Sequence, residues 1–462
     1  MKAIKILVEP FEFLNYTKLE CKKELNQHGV LRITGLIHQE KEREYMNLAA
    51  KETWVSVKVI SENGEISHFF DGILTGLCVE KENQISVLSI EIKTGTFLLD
   101  IAPHIRSFQS SDFRYADLIH TCLEKSSGSC ILLDKKNDQT HRFFLQYDET
   151  DWEFIKRIAA CAGTVIIPED AMAGRKFYFG YRDGMILDEI ESDTYYMEQD
   201  YETYRKGAIA GGLAAANVVS YILQTREIYR LGQGVYFKGR KFVIGKITSC
   251  LKGQELYHEY RLITKENGLL PLMYNQKLSG ISLKANVTVV EKTMVQVLIQ
   301  EDENKDKCES RWFDYATVYS TPDGAGWYCM PEVGDEVRLV FPDNNENNAY
   351  VASSVHVGAS GGRSNPAYKS WKNRQNKEIL FTPDSIVMTN NNGLLLELSD
   401  QNGIKMSSNN NITVHANGNI DIKSQNAGVH MYAENDILMK QGAAKIQIDD
   451  SININGGKIY MN

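Results

Sequence analysis

The C-terminal part of the sequence repeats a short apolar pattern that strongly limits its fold. Two apolar residues separated by one residue recur at steps of 8, 8, 9, 8, 9, 6 and 7 residues: Ile404 with Met406, Ile412 with Val414, Ile420 with Ile422, Val429 with Met431, Ile437 with Met439, Ile446 with Ile448, Ile452 with Ile454, and Ile459 with Met461. Less regular pairs precede them, namely Ile379 with Phe381, Ile386 with Met388, and Leu394 with Leu396. Because side chains alternate along a strand, each pair predicts a short strand with one apolar face. The Asn, Gly, Asp and Ser residues between pairs favour turns.

Such short apolar faces need a partner to bury them. A single-chain solenoid needs about three such strands per coil, so the eleven pairs would form a thin core with exposed edges. Three chains wound together would enclose one continuous apolar axis. We therefore predict a homotrimer in which residues 379–462 form an intertwined, triple-stranded β-helical needle, with the pairs from Ile404 to Ile454 on its axis.

The end of this needle is expected to bind a separate tip protein. The last repeat places Ile459 and Met461 on the axis, beside Tyr460 and Asn462. Strand edges and an apolar plug exposed at such an end are features that proteins usually cover. We therefore predict that these four residues form a docking platform.

The N-terminal half combines strand patterns with two helix signals. Alternation in residues 54–60 and 84–92 predicts strands of a barrel or curled sheet. Residues 115–122 carry apolar side chains at helical spacing, which predicts a helix with one buried face. Thr150 to Glu153 match a capping box, and the apolar stripe that follows stops at Gly163.

An acidic cluster, Asp148, Glu149 and Asp151, lies at the start of this second helix. Paired carboxylates can serve as a catalytic acid and base. At a helix N-terminus, however, acidic side chains complement the positive end of the helix dipole. We favour that structural role.

Residues 281–357 form a compact run of alternating segments that predicts a barrel of about five strands. The segments are ANVTVVE, TMVQVLIQ, RWFDYATVYS, DEVRLVF and AYVASSVHV. The stretch from Met330 to Val337 predicts a turn before a strand, with Gly334 supplying backbone freedom. Residues 358–378, rich in Gly, Ser and Asn at their start, are predicted to be a linker.

Composition limits the classes of function. The net charge is -9, and the basic residues form no stripe that could follow a phosphate backbone, which argues against nucleic acid as a partner. The eight cysteines show no CxxC or zinc-finger spacing, so we expect reduced thiols in the cytosol. The most apolar run, residues 208–223, is short and contains Gly and Asn, and we expect it to pack on the domain as a helix or loop.

This order of parts resembles the VgrG-type spikes of contractile injection systems, which correspond to the hub and needle proteins of contractile-tailed phages. The stretch YDETDWEFIKRIAACAG (147–163) is similar to a family segment that opens a helix. MPEVGDEVRLVF (330–341) resembles the oligonucleotide/oligosaccharide-binding (OB) barrel of these spikes, with Pro331, Gly334, Val337 and Phe341 on matching positions. The chain departs from the family at residues 344–348, where many relatives carry Gly-Asp and a proline.

The resemblance implies a structural, non-enzymatic central spike of a phage tail, a phage-tail-like bacteriocin, a type VI system or an extracellular system. Residues 1–275 would form a hub with two barrel-like subdomains and inserted helices, although the sequence shows no duplication. In the trimer this hub would contact a hexameric inner tube protein and other baseplate components. A PAAR-like protein would cap the needle, which would puncture a target membrane transiently. The protein would assemble in the cytoplasm and become part of a phage-tail-like particle.

Some relatives carry a lysozyme domain or a C-terminal toxin. Here only 21 residues separate barrel from needle, and the sequence stops after the last repeat, so we expect neither enzyme. We also expect no cofactor and no metal, since His415 and His430 are single and no His-x-His pattern occurs.

Two other functions remain as alternatives. A trimeric tailspike that binds or cleaves polysaccharide would need carboxylates converging on a groove, whereas the acids of the repeats lie mostly at corners. A nucleic-acid-binding barrel would need a basic groove with stacking aromatics, whereas residues 301–309 are rich in acids.

Overall fold

The fold is mainly β and multidomain, as the sequence predicts. The computed structural model describes residues 5–48, 52–60, 64–124, 126–182, 188–192, 194–201, 205, 218–253, 255–306, 310–355, 365–448, 450–455 and 458. The chain forms two compact units, Met1–Val357 and Gly358–Asn462, which we describe separately.

A twelve-stranded sheet makes up most of the first unit. Its early strands are β1 (Lys5–Glu9), β2 (Asn15–Glu24), β3 (Val30–Ile37), β4 (Trp54–Ile60), β5 (Ile66–Glu82) and β6 (Ile85–Lys93), with helix α1 (Glu42–Leu48) between β3 and β4. Its later strands, numbered after the insertion described next, are β12 (Asp188–Glu189), β13 (Tyr195–Gln199), β14 (Val219–Thr225), β15 (Gly234–Phe237), β16 (Arg240–Lys252) and β17 (Glu255–Ile263). The order is β1-β4-β5-β6-β3-β2-β16-β17-β14-β13, with β15 on β16 and β12 on β15.

The two groups of strands join edge to edge, because β2 pairs with β16 over Glu20–Glu24 and Lys246–Cys250. The region expected to hold two barrel-like subdomains is thus one continuous sheet with a separate apolar core in each group. Alternation predicts this burial: in β4, Val55, Val57 and Val59 are buried, and their neighbours along the strand are half-buried.

A helical insertion separates the two groups of strands. It contains β7 (Pro103–Phe108), α2 (Tyr115–Glu124), β8 (Ser129–Leu132), β9 (Phe144–Thr150), α3 (Asp151–Ala162), β10 (Ile166–Pro168) and β11 (Lys176–Phe179). The predicted capping box of α3 is confirmed, since the Thr150 hydroxyl accepts from the Glu153 amide at 3.1 Å and the Glu153 carboxylate accepts from the Thr150 amide at 3.0 Å. Gly163 ends the helix at a φ of 64°, as the sequence indicates.

A closed five-stranded barrel completes the first unit. Its strands are β18 (Ser282–Glu291), β19 (Met294–Ile299), β20 (Trp312–Ala316), β21 (Glu336–Val340) and β22 (Tyr350–Ala352). They close in the order β18-β19-β20-β22-β21, with β20 parallel to β22 and the other pairs antiparallel. This is the Greek-key order of an OB barrel. Gly334, at a φ of 93°, makes the predicted turn before β21.

The second unit contains two antiparallel meanders. The proximal sheet consists of β23 (Lys369–Lys372), β24 (Glu378–Phe381), β25 (Ser385–Thr389), β26 (Leu395–Ser399) and β27 (Gly403–Ser407). The distal sheet consists of β28 (Ile437–Gln441), β29 (Ala444–Ile448) and β30 (Ile452–Asn455). Residues 408–436, the central segment, contain no strand.

Two features of this unit differ from the sequence interpretation. Strand β23 lies within the stretch predicted to be a linker. The strands pair with their neighbours in the same chain, whereas the prediction paired each strand with another chain. In a single chain, a strand has only the strands of that chain available as partners.

The apolar run 208–223 lies mostly outside the described residues, and its last residues begin strand β14. None of the helices in the described part of the chain combines the length and apolar character needed to cross a membrane.

Candidate trimerisation face

One face of the proximal sheet carries two rows of apolar side chains, with Lys369 at the end of one row. Directly paired residues on neighbouring strands share a face, as do residues two apart on one strand. The first row is Trp371, Ile379, Met388, Leu396 and Met406, and the second is Phe381, Ile386, Leu398 and Ile404. We call these nine residues the apolar face.

The opposite face of the same sheet is mixed in character. Its middle row runs through Ser370, Leu380, Val387, Glu397 and Lys405 in register. The sheet is therefore amphipathic, and the apolar face is the side that needs a cover.

The distal sheet repeats the arrangement with three strands. Ile437, Ile448 and Ile452 are paired in one row. Met439 pairs with Ile446, whose other register partner is Ile454. The apolar pairs of the repeat are thus aligned from strand to strand, which is the alignment that a continuous apolar axis requires.

The central segment differs from the prediction, which placed a short strand at each of its three apolar pairs. No strand forms between residues 408 and 436, and the strands of the two flanking sheets pair with one another, with β27 and β28 as edge strands. A short strand needs a neighbour to satisfy its backbone groups. The six side chains predicted to lie on the needle axis here are all at least half exposed in the single chain: Ile412, Val414, Ile420, Ile422, Val429 and Met431.

The exposure of the predicted axis residues extends to both sheets. None of the described residues from 365 to 455 whose burial is defined is buried. Of the predicted axis residues, Ile437 is half-buried, and the side chain of Ile454 lies outside the described set. The other twelve are exposed, from 38% to 73%: Ile404, Met406, Ile412, Val414, Ile420, Ile422, Val429, Met431, Met439, Ile446, Ile448 and Ile452.

This exposure differs from the dry axis that the sequence predicts, because one chain alone encloses no axis. Monomeric proteins rarely expose continuous apolar surface on this scale. The pattern therefore indicates an interaction face.

The structure also extends and corrects the predicted set. The earlier apolar pair of β26 is Leu396 with Leu398 and not Leu394 with Leu396, because pairing with Met388 and Ile386 fixes the register. Trp371 joins the face although the sequence analysis did not select it. The predicted tip-docking residues lie outside the described residues: Ile459, Tyr460, Met461 and Asn462.

A second functional feature is the joint between the helical insertion and the barrel. Arg157 of α3 is buried, and its guanidinium pairs with Glu149 at 2.7 Å and with Glu346 of the barrel. It also donates to the carbonyl of Leu145 at 2.8 Å. Burial alone would lower the pKa of Arg157, but the two carboxylates raise it. The arginine therefore stays charged and ties the two regions together.

Apolar and hydrogen-bonded contacts reinforce this joint. Phe143 and Leu145, which flank the start of β9, are part of the barrel's buried core. The Asp302 carboxylate accepts from the Ser107 amide at 3.0 Å. The Gln109 side chain donates to the carbonyl of Val297 at 3.2 Å. The barrel core is thus completed by residues that precede it by more than a hundred positions.

The acidic cluster proposed from the sequence has a structural explanation. Glu149 pairs with Arg157, and Asp151 pairs with the buried Arg106 at 2.5 Å. Asp148 meets Lys277 at 2.8 Å. The sequence analysis favoured a structural role but missed the buried arginines, which are distant in sequence.

Within the described ranges, no group of three His, Cys, Asp or Glu side chains is arranged to hold a metal ion. His415 and His430 are both exposed.

The barrel is similar in sequence to a known protein family. Residues 283–356 match the family described as the type VI secretion system/phage-baseplate injector OB domain, and this range coincides with strands β18–β22. No curated protein matches the chain.

Two solved structures share the wider architecture. The E. coli c3393 protein is described as a component of the type VI secretion system with structural similarity to the T4 bacteriophage tail proteins gp27 and gp5. It has a TM-score of 0.53 and 11% identity over 76% of this chain and all of its own. The half-lidded Francisella PdpA-VgrG complex contains a chain with a TM-score of 0.56 and 8% identity over 88% of both chains. The chain has the VgrG-type spike fold.

Within this fold, strands β18–β22 correspond to the injector OB domain. The resemblance drawn from the motifs at 147–163 and 330–341 is confirmed at the level of the fold.

Proposed function

We propose that three copies of this chain join through the apolar face and form the central spike of a contractile injection machine. The exposure of that face carries the proposal, together with the exposed apolar side chains of the distal sheet and the central segment. Each such side chain contributes about 1.5–3 kcal/mol when it becomes fully buried. Three copies around one axis would bury them all.

The pairing within each sheet refines this needle. Every strand of the proximal and distal sheets pairs within its own chain, so three copies would form a three-sided prism at each sheet. The central segment has no strand partner in the described part of its own chain, and strands from other copies would supply its backbone hydrogen bonds. We therefore restrict intertwining to residues 408–436, whereas the sequence prediction extended it over 379–462.

The proposed role is mechanical. The hub would bind a hexameric inner tube protein and other baseplate components, and the needle would puncture a target membrane transiently. The description of the E. coli c3393 protein and the injector OB match support this role. The protein would assemble in the cytoplasm and then reside in a phage-tail-like particle. The proposed role involves no catalysis, cofactor or nucleic acid.

Light scattering after size exclusion tests the oligomer. A trimer has a mass of about 157 kDa, three times 52.3 kDa. A dimer would point to two sheets stacked face to face. A stable folded monomer would overturn the proposal.

Ile459, Tyr460, Met461 and Asn462 are proposed to bind a PAAR-like tip protein. Removing residues 458–462 should abolish its co-purification and leave the trimer intact. Because the buried apolar centre would supply the affinity, salt should affect binding little. A truncated spike that retains its tip protein would place the docking site elsewhere.

A further inference from the structure

One turn of the proximal sheet, between β25 and β26, contains the dipeptide Asn392–Gly393. Both residues are exposed. Within the described part of the chain, Asn392 is hydrogen-bonded only through its backbone: its amide donates to the Asn390 side chain at 2.9 Å, and its carbonyl accepts from the Asn409 side chain at 3.2 Å. The Gly393 amide has no partner among the same residues. The Asn392 carboxamide and the Gly393 nitrogen are therefore free to meet.

The turn itself requires glycine at position 393. The φ of Gly393 is 88°, and a Cβ atom there would lie 2.7 Å from the Asn409 side chain. A side chain on the residue after an asparagine hinders attack by the backbone nitrogen on the carboxamide, and glycine removes that hindrance. The shape of the turn thus keeps this reactive pair of residues in place.

The first unit contains a matched dipeptide, Asn267–Gly268, and both sites share the sequence Asn-Gly-Leu-Leu. The Gly268 amide donates to the Lys265 carbonyl at 3.1 Å, and the Gly268 carbonyl accepts from the Asn26 side chain at 3.1 Å. A Cβ atom on Gly268 would lie 2.2 Å from the Tyr181 hydroxyl, so this backbone is closely packed. The nitrogen of Gly268 must give up a hydrogen bond before it can attack the neighbouring side chain.

We propose that Asn392 is a site of spontaneous deamidation, with water as the co-reactant. The Gly393 nitrogen attacks the side-chain carbonyl carbon of Asn392, and the new bond closes a cyclic imide. The bond from that carbon to Nδ2 breaks, and Nδ2 leaves as ammonia, taking up the proton that the Gly393 nitrogen loses. Water then opens the imide at either carbonyl, which gives aspartate or isoaspartate. No group is oxidised or reduced.

The isoaspartate product matters because of where the turn lies. Isoaspartate adds one carbon to the backbone of the turn that sets the register of β25 against β26. In that register Met388 is opposite Leu396, and Ile386 is opposite Leu398. A longer turn would disturb this alignment and with it the apolar face. The deamidation itself does not depend on the proposed trimer.

Two other exposed dipeptides of this kind lie nearby in the chain, at Asn402 and Asn417. Gly403, which follows Asn402, begins β27 and is paired with Ser399. Asn417 belongs to the central segment, whose surroundings the proposed trimer would change. Asn392 lies in a sheet whose strands pair within their own chain, which makes it the site to test.

Peptide mapping of the full folded chain, by liquid chromatography and mass spectrometry, tests the site. During incubation at mildly alkaline pH, the Asn392 peptide should convert to isoaspartate and aspartate forms about fivefold faster than the Asn267 peptide, or more, because the Gly268 nitrogen is held by a hydrogen bond. In protein unfolded by denaturant the two peptides should convert at equal rates, since the same residues follow each asparagine. Asn392→Gln should stop the conversion at this position, because the longer side chain closes a less favourable ring.

Equal rates for the two peptides in the folded protein would overturn the proposal. It would also be overturned if conversion occurred only at Asn402 or Asn417. A folded chain that preserves Asn392 under conditions in which the unfolded chain converts it would show that the turn protects the residue, which is the opposite of what we propose.

Discussion

The two units of the chain are built from similar alternating strands, but they bury their apolar residues differently. The described residues of Met1–Val357 enclose four apolar cores within one chain. In Gly358–Asn462, none of the described residues with a defined burial is buried. Alternation thus predicts an apolar face in either unit. One chain can bury that face only where the same chain also supplies a second layer of structure to cover it. The stability of the second unit should therefore depend on protein concentration, and that of the first should not.

The joint at Arg157 holds the helical insertion and the barrel together. Because the barrel core contains Phe143 and Leu145, the barrel and the helical insertion form one packed region of the first unit. The buried guanidinium adds charged hydrogen bonds across the same joint.

The largest expected effect comes from placing a charge on the needle axis. Ile420→Asp would bury three carboxylates in the trimer, and each uncompensated charge costs several kcal/mol, so trimer formation should be lost. Light scattering and thermal unfolding measure the change. The first unit should keep its own unfolding transition.

Asp421→Asn is the matched control, one residue along the chain. The predicted alternation points its side chain outward, so mass and melting temperature should stay close to those of the parent. Equal losses for the two variants would contradict the inward register of the repeat.

The second-largest expected effect is a loss of stability in the first unit alone. Arg157→Met would leave Glu149 and Glu346 buried without a cation, and breaking a buried pair in this way costs about 3–5 kcal/mol. Denaturant unfolding should show this loss, and light scattering should still show a trimer. Arg114→Met, at an exposed pair with Asp117, is the control and should change little. Adding Glu149→Gln and Glu346→Gln to the Arg157→Met protein should restore part of the lost unfolding free energy. If stability is not restored, the loss comes from packing and not from the unpaired carboxylates.

A smaller effect is expected from pH, again in the first unit. Burial, with Lys23 nearby, lowers the pKa of His258 to about 4, from 6.5 in the unfolded chain. The neutral imidazole accepts from or donates to the Ser249 hydroxyl at 2.7 Å. Since the unfolded chain takes up the proton first, this contribution is complete above pH 6.5 and is lost as the pH falls toward 4.

Lowering the pH from 7 to 5 should therefore cost the first unit about 2 kcal/mol through this histidine. His258→Gln should flatten the pH dependence of denaturant unfolding in that window, whereas His120→Gln, at an exposed position, should not. An unchanged slope in the His258→Gln protein would mean that the imidazole titrates normally.

Local patterns predicted much of this molecule. The capping box of α3, the barrel strands and the aligned apolar pairs all follow from residues close together in sequence. The sequence analysis placed the apolar pair of β26 two residues too early. The Leu-rich stretch 394–398 fits more than one pair, and only the pairing with β25 selects between them. Trp371 was missed because it is a single apolar residue between Ser370 and Lys372.

The central segment shows where a local pattern stops being informative. Its repeats match those of the two sheets, yet Val414, Ile422 and Met431 lie outside any strand and are exposed. An apolar pair specifies which side chains can share a face, but a strand also needs a neighbour for its backbone groups. The spacing of the pairs does not predict whether such a neighbouring strand is present.

Long-range contacts were beyond prediction from one sequence. Arg157 and Glu346 are 189 positions apart, and no local periodicity records their pairing. The same holds for Phe143 in the barrel core and for the edge-to-edge joining of β2 and β16. The alternating strand pattern continues past Ala316, the last residue of β20, so the turn closed by the bridge between Ser320 and Gly326 is visible only in the fold.

The smallest expected effect tests the outer face of the proximal sheet. Lys405 is directly opposite Glu397 on the neighbouring strand and next to Ile404, which belongs to the apolar face. Lys405→Glu would set like charges opposite each other, and such exposed pairs contribute only about 0.2–1 kcal/mol. The melting temperature should fall slightly, the loss should shrink in high salt, and the trimer should persist. Ile404→Glu introduces the same side chain on the same strand. It should nevertheless abolish the trimer, because its carboxylate would point to the axis. If the two variants lowered the melting temperature equally, the assignment of inner and outer faces would be wrong, and with it the difference proposed between the two units.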